Sequence, residues 1–374
     1  MRALLLNSVC GIRSTGRICT RLAQELEEQG HEVKIAFGRE KTVPEQFQKY
    51  AVPIGCGLDV KMHALRTRLL DDHGFGSRRA TKKFLEWADA YDPALLWLHN
   101  IHGYYINIEL LFDWIKSRPQ MQVCWTLHDC WAFTGHCTYF TAAKCEQWRT
   151  GCQRCSQKGR YPASILIDGS RGNYSRKKDL FTGVRSMKLI TPSRWLAGLV
   201  QQSFLREYPV EVRYNTIDTE TFRPAAGNFR RNYGLEDKKL ILGVASVWDE
   251  RKGLQDFFRL ARSLDDSYAL ILVGASDTQM RRFESNMVGI RKTNNARELA
   301  EIYTAADVFF NPTYEDNYPT VNLEAQACGT PVVTYDSGGS AETLHTAESV
   351  SVQSGALEES IGLLKEICER SHKG

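Results

Sequence analysis

DVFFNPTYEDNYPTVNLEAQACGTPVVTYD, residues 307–336, reads as strand, loop, helix and strand in direct succession. The apolar run DVFFNPT gives way to a loop holding Glu315, Asp316 and Asn317, and Pro319 then opens the helical stretch TVNLEAQAC, which closes at Gly329. Proline in a first turn and glycine just past a last turn are helix boundaries. The first turn aims the backbone N–H groups of Thr320, Val321 and Asn322 at the end of the strand, where free donors and the helix dipole suit a diphosphate. Glu324 lies one turn further in. A carboxylate there can accept two hydrogen bonds from vicinal hydroxyls, as an acidic residue does with ribose in dinucleotide folds. Glu315 and Asp316 alone would only complement the helix dipole; with an anion site beside them they are candidates for holding a sugar.

The same rhythm extends outward. ALLLNSV (3–9), HEVKIAF (31–37), ALLWLHN (94–100), QVCWTLH (122–128) and SMKLITPS (186–193) are short apolar runs in the first half; KLILGVAS (239–246) and YALILVGAS (268–276) precede the opening segment in the second. Such runs predict buried parallel strands. TGRICTRLAQELEEQG lies between the first two, with Ile18, Leu22 and Leu26 at i, i+4 and i+8 and Gly30 at a helix end, completing a βαβ unit. The pattern predicts an α/β protein of two doubly wound, Rossmann-like lobes, 1–208 and 209–374, with YNTIDTETFRP (214–224) as linker. Ligands bind outside the carboxyl ends of parallel strands, so the chemistry is expected in a cleft between two facing lobes.

The chain has 374 residues, 43% hydrophobic and 25% charged, which are globular values, and no stretch nears the roughly 20 apolar residues that cross a bilayer. MRALLLNSV lacks the apolar region and cleavage site of a signal peptide and reads as a first strand. Eleven cysteines without a signal fit a reducing cytoplasm. The net charge of +4 conceals an asymmetry: residues 1–200 hold 29 Lys+Arg against 18 Asp+Glu, and 201–374 hold 19 against 26. A basic first lobe fits an anionic membrane face or a phosphorylated acceptor, and equally an ordinary solvated surface. No repeat or low-complexity tract is visible, and nothing suggests a nucleic-acid partner.

The opening segment resembles the acidic signature of family 4 retaining glycosyltransferases of the GT-B fold, two acids eight residues apart followed by a small-residue helix and a Cys-Gly-x-Pro-Val-Val strand. Glu324 matches the second acid. Asp316 stands in frame with the first, where the family usually has Glu, and Glu315 is one residue out of frame. SVWDERKG (246–253) resembles the loop that brings basic residues to the donor diphosphate: Lys252 matches the family lysine, Val247 stands where an arginine is usual, and Arg251 is the substitute. SGGSAE (337–342) is similar to the glycine-rich turn ending in Glu342, ELAEIYTAAD (298–307) to the helix that feeds the acidic strand, and ITPSRWLAG with YNTIDTETFRP to the family's inter-lobe segments.

In the first lobe, GIRSTGR (11–17) joins strand one to its helix, and its glycines allow a close approach of backbone to a charged ligand. It resembles the family loop near donor phosphate and acceptor, which makes Ser14, Thr15 and Gly16 the expected donor contacts. His99, Asn100 and His102 follow one strand end, and His128 and Asp129 follow the next. Strand-end histidines are candidates for chemistry as readily as for a satisfied structural role. By resemblance, His128 contacts the donor sugar.

Cys137, Cys145, Cys152 and Cys155 fall within twenty residues, and the last two form a C-x2-C pair. The readings are a structural zinc, with Cys130 and His136 as substitute ligands, or reduced free thiols; disulfides rank behind both. Four thiolates would leave no open position for catalysis.

The resemblance implies sugar transfer from a nucleoside diphosphate sugar to an acceptor hydroxyl with retention, needing no metal. Lys252, Arg251 and the helix start at Thr320 would stabilise the leaving group, Glu324 would hold the ribose, and Asp316 or Glu315 with His128 would orient the sugar. The expected acceptor is a saccharide or lipid-linked saccharide of bacterial capsule or exopolysaccharide assembly, met in the cytoplasm at the inner membrane face. Relatives commonly continue past the last helix with a segment crossing back to the first lobe, so a short or truncated crossover is expected here. The competing reading is a non-catalytic GT-B-like partner or sugar-nucleotide-binding subunit. A dinucleotide oxidoreductase would need G-x-G-x-x-G after strand one, and GIRSTGR does not supply it.

Overall fold

A computed structural model describes residues 1–371. Strands β1 (Arg2–Leu6), β2 (Glu32–Phe37), β3 (Ala51–Pro53), β4 (Leu95–Leu98), β5 (Gln122–Thr126), β6 (Met187–Thr191) and β7 (Val210–Val212) form one parallel sheet in the order β3-β2-β1-β4-β5-β6-β7. Strands β8 (Lys239–Val244), β9 (Tyr268–Val273), β10 (Met287–Ile290), β11 (Val308–Asn311), β12 (Val332–Asp336) and β13 (Val350–Gln353) form a second, in the order β10-β9-β8-β11-β12-β13. Every strand pairing within both sheets is parallel.

The chain divides into two compact units, the first Met1–Arg213 and the second beginning at Tyr214. The division falls a few residues beyond the expected 208/209 boundary because Val210–Val212 pairs with β6 and so completes the first sheet. Past Arg213, Asp218 closes a turn: its carboxylate accepts from the Glu220 N–H at 3.1 Å and the Thr221 hydroxyl at 2.6 Å.

Both faces of each sheet are covered, which is why the central strands are mostly apolar, with Lys34 in β2 and Lys188 in β6 as exceptions. In β1, Leu4 and Leu6 join a core with Phe112 and Trp125, while Ala3 and Leu5 face Leu22 and Leu26 on the other side. Burying one such leucine contributes about 1.5–3 kcal/mol. Leu22 and Leu26 belong to the helix Arg13–Glu28, whose end is followed by Gly30 at φ +82°, as the sequence pattern required. In β8, Ile241 and Leu242 likewise enter two different cores.

The direction of strand order reverses between β1 and β4 in the first sheet and between β8 and β11 in the second. Loops leaving the carboxyl ends of strands at such a reversal diverge and leave a crevice for ligand.

Candidate functional site

In the second unit, the loops leaving β8 and β11 carry the basic and acidic residues singled out in the sequence. Gly253 ends the first loop at φ +72°, directly before the helix Leu254–Ser263, and a Cβ there would stand 2.2 Å from the Pro312 carbonyl oxygen. Only glycine lets the two loops meet. Their meeting puts Lys252 Nζ 2.5 Å from Asp316 Oδ2, with each side chain 18% exposed. Arg251 Nη1 donates to the Glu315 carbonyl oxygen at 2.8 Å, and the Tyr314 N–H donates to the Arg251 carbonyl at 2.8 Å. Burial pushes the Asp316 carboxyl up, but the Lys252 ammonium and its hydrogen bond, reinforced by Arg251, outweigh burial and hold the carboxyl below its ordinary value.

The turn after β12 fixes the same acid from another side. Gly338 sits at φ +62°, its missing Cβ 1.8 Å from the Asp316 carbonyl oxygen, and the Gly339 N–H donates to that oxygen at 3.2 Å. Ser337 Oγ donates to the Thr313 carbonyl at 2.6 Å. Glu342 is half-buried at the end of this turn.

The helix Thr320–Ala327 starts without a side-chain cap and with no acid in its first turn. Thr320 and Val321 are half-buried there. Asn322 departs from the expectation: its N–H donates to the Pro319 carbonyl at 3.2 Å, and its fully buried side chain accepts from Asn311 Nδ2 and donates to Thr343 Oγ1, both at 2.8 Å. A buried amide must be hydrogen-bonded, so Asn322 is a strut joining β11, the helix and the next turn. Glu324, also half-buried, accepts from Tyr303 Oη at 3.1 Å. Glu315 is buried at 5% exposure, and Val247, where the resemblance places arginine, is 68% exposed.

In the first unit, the loops after β4 and β5 deliver one histidine pair and one histidine–aspartate pair. His99 Nδ1 and His128 Nε2 stand 3.0 Å apart with their rings stacked at 5.3 Å. Burial pulls the His128 imidazole down to about 4, against the opposing pull of Asp129, and holds His99 well below the ordinary histidine value. His102 Nε2 stands 2.8 Å from Asp129 Oδ2, and the other Asp129 oxygen accepts from the Trp131 N–H at 2.9 Å. Asn100 is held through its backbone, its N–H donating to Asn7 Oδ1 at 3.3 Å and its carbonyl accepting from Tyr105 Oη at 2.8 Å.

The sequence reading missed the rings around this group. His73, Tyr104 and Tyr161 contact one another, and the His73 ring lies 5.8 Å from that of His102. They come from loops without periodicity, so no local pattern marks them.

Ser14 and Thr15 occupy the first turn of the helix Arg13–Glu28, which has no side-chain cap and no acid in that turn. Gly16 is buried; a Cβ there would stand 3.0 Å from Val9 Cγ2 and 3.3 Å from the Gly11 nitrogen. Its lack of a side chain seats the helix on its own entry loop, a packing role.

Cys137, Cys145, Cys152 and Cys155 line a single cavity of about 20 Å³, with His136 at its edge. The Cys152 sulfur accepts from the Gly135 N–H at 3.2 Å. The Cys155 thiol is held down to about 7, first by a hydrogen bond from Cys137, then by His136 and the Gln157 N–H, against burial. Cys130 is buried near Cys137 and does not line this cavity. Among the described residues, no three His, Cys, Asp or Glu side chains are set around one point as a metal ion would require. Lys177, buried, fastens the base of this segment by donating to the carbonyls of Trp131 at 2.7 Å and Thr134 at 3.0 Å. Burial pulls its ammonium down to about 7.

A family model described as Glycosyltransferase Family 4 matches residues 15–221, more than half of the chain. The chain belongs to glycosyltransferase family 4. A second model, Glycosyl transferases group 1, matches residues 238–366 of this family 4 chain and so takes in Lys252, Asp316 and Glu324. An Escherichia coli (strain K12) protein named as a colanic acid biosynthesis glycosyl transferase, WcaC, is 26% identical over 261 residues. That match covers 67% of the family 4 chain and 62% of the relative's own length. Among solved structures, sucrose-phosphate synthase from Thermosynechococcus elongatus superposes with a TM-score of 0.72 at 15% identity, covering 99% of this chain and 92% of that one. Anabaena HepE, solved with UDP-glucose, superposes with a TM-score of 0.64 at 15% identity, covering 100% and 91%. With its two parallel sheets, the family 4 chain has the GT-B fold.

Proposed function

We propose that this protein transfers a sugar from a nucleoside diphosphate sugar to an acceptor hydroxyl, with retention at the anomeric carbon. The observation that carries the reading is the meeting of Lys252, Arg251, Glu315 and Asp316 in the two loops at the strand-order reversal of the second sheet, beside the uncapped helix start at Thr320. An ammonium, a guanidinium and free N–H groups are the donors that a leaving diphosphate needs, and they are held in place before it arrives. Glu324 binds the ribose hydroxyls, while Asp316 or Glu315 orients the sugar. The bond from the anomeric carbon to the diphosphate oxygen breaks, and the bond to the acceptor oxygen forms on the same face. The acceptor proton passes to the departing phosphate. No side chain serves as nucleophile and no catalytic metal takes part.

The acceptor in this reading is a lipid-linked saccharide of bacterial surface polysaccharide assembly, met in the cytoplasm at the membrane. The name of the E. coli relative and the basic first half of the chain support it. The cysteine segment holds a structural zinc on the same reading, supported by four cysteines lining one cavity, and binding requires their thiols to turn toward a common centre.

Nucleotide release from a panel of UDP-, GDP- and dTDP-linked sugars tests the function, with Glu324→Ala as control. Turnover of one donor that falls at least tenfold in the variant supports it. Undiminished turnover in the variant removes the site assignment, and no donor turned over or bound removes the function.

A further inference from the structure

The helix Gly57–Leu70 is built inside out. Leu58, Met62, Leu65 and Leu69, spaced i, i+4, i+7 and i+11, form one stripe, yet they are 66%, 57%, 50% and 38% exposed. The residues it buries are His63 and Thr67. An ordinary surface helix does the reverse. Hydrogen bonds hold its inward side: His63 Nε2 accepts from the N–H groups of Gly74 and Gly76, both at 3.2 Å, and Nδ1 stands 2.9 Å from Ser77 Oγ. Thr67 Oγ1 donates to the His63 carbonyl at 3.0 Å. The helix is therefore fixed by these polar contacts and by Val60 packed against the core, and leaves its outer apolar stripe uncovered within its unit.

A second exposed apolar strip adjoins it. Ile165, Leu166 and Ile167 are 66%, 66% and 47% exposed, and the Ile165 N–H donates to the Arg68 carbonyl in the last turn of the helix at 2.7 Å. Contiguous patches of this kind mark interaction surfaces.

The charges beside the stripe are mainly basic. Lys61 and Arg68, seven residues apart, share one flank, and Arg66, paired with Asp72, lies on the other. Of the nearby acids, Asp59 accepts from the Cys56 N–H, and Asp168 from the N–H groups of Cys155 and Ser170. The stripe and strip hold leucine, isoleucine and methionine but none of the tryptophan or tyrosine that anchors protein–protein interfaces. Aliphatic side chains with basic flanks are what an anionic lipid surface takes up. No helix among the described residues is long and apolar enough to cross a membrane.

We propose that the helix Gly57–Leu70 and residues 165–167 form a docking face for an anionic bilayer. The aliphatic side chains enter the boundary between headgroups and acyl chains, and Lys61 and Arg68 meet lipid phosphates. Docking does not depend on the sugar-transfer reading and is measured without donor or acceptor.

The test is flotation of the full chain with phosphatidylcholine vesicles, with and without phosphatidylglycerol, at low and high salt. The expected result is binding that requires phosphatidylglycerol and weakens with salt. Leu65→Glu/Leu166→Glu and Lys61→Glu/Arg68→Glu should each weaken it by more than about tenfold, while thermal melting shows that both variants, altered only at exposed positions, remain folded. No binding by the wild type, or equal binding by folded variants, overturns the proposal. A dimer that dissociates on Leu65→Glu, with vesicles left unbound, also overturns it and assigns the face to a second copy of the chain.

Discussion

Replacing Lys252 by methionine keeps most of the side chain's bulk and removes its charge from the 2.5 Å contact with Asp316. Breaking a fully buried ion pair costs about 3–5 kcal/mol, because one charge is left without a partner. Here each side chain keeps 18% exposure, so water recovers part of that loss, and about 1–3 kcal/mol is expected. For a protein of 374 residues the melting temperature should fall by about 1–4 °C. The pH dependence identifies the cause. Asp316 has a folded pKa below its ordinary value, so its contribution to stability is complete above the ordinary carboxylate range and is lost as pH falls through the lower, folded value. The gap in melting temperature between wild type and Lys252→Met should therefore be constant near neutrality and close in acid. Adding Asp316→Asn to the variant should recover most of the lost stability, since no unpaired carboxylate remains. Catalysis should not recover with it. If Lys252 neutralises the leaving diphosphate, its loss costs about 10²–10³-fold in kcat whether or not Asp316 is present. The assay is steady-state nucleotide release by the single and double variants beside their melting curves. Turnover restored by the second substitution would refute the assignment of Lys252 to the donor, and a stability gap that persists in acid would refute the pairing.

Gly338→Ala places a Cβ against the Asp316 carbonyl at a left-handed backbone position; a loss of at least about 2 kcal/mol and of most activity is expected, read by denaturant titration and turnover. The first unit should be acid-labile: His63 and His128 have folded values of about 4, so between the ordinary histidine value and pH 4 the unfolded chain takes up protons that the folded chain does not. Stability should fall with pH across that window by up to about 1.4 kcal/mol per unit for each such histidine, and a flat stability profile from pH 7 to 5 would contradict the burial. Metal analysis of purified protein should find about one zinc per chain, lost in Cys152→Ser, and metal-free wild type would leave a cluster of thiols. Asn322→Ala should lower the melting temperature by several degrees and leave the affinity for donor within a few-fold, as befits a strut.

What was legible in the sequence follows from where apolar residues must sit. The nine runs read as strands are the central strands of the two sheets, buried on both faces and so mostly apolar. The four that escaped notice, β3, β7, β10 and β13, are the four sheet edges, where Ala51–Pro53 and Val210–Val212 are three residues long and Met287–Ile290 contains a glycine. Overlooking β7 is also what moved the expected boundary. The loops around Lys252 and Asp316 were readable because proline, glycine and acid stand at helix ends whose geometry is fixed by the backbone. The helix Gly57–Leu70 was not, since its apolar stripe faces outward and its buried side is polar. His73 and Tyr161 join the strand-end histidines only through long-range packing, which no local spacing encodes.

The clamp of Gly338 and Gly339 on the Asp316 carbonyl means that the main chain at this point is located by a neighbouring turn, independently of the side chains it carries. Residues 315 and 316 can then exchange acid for acid, or shift an acid by one place, without remodelling the loop. On the proposed function, the acids that meet the sugar are thus carried on a frame whose position the neighbouring turn sets.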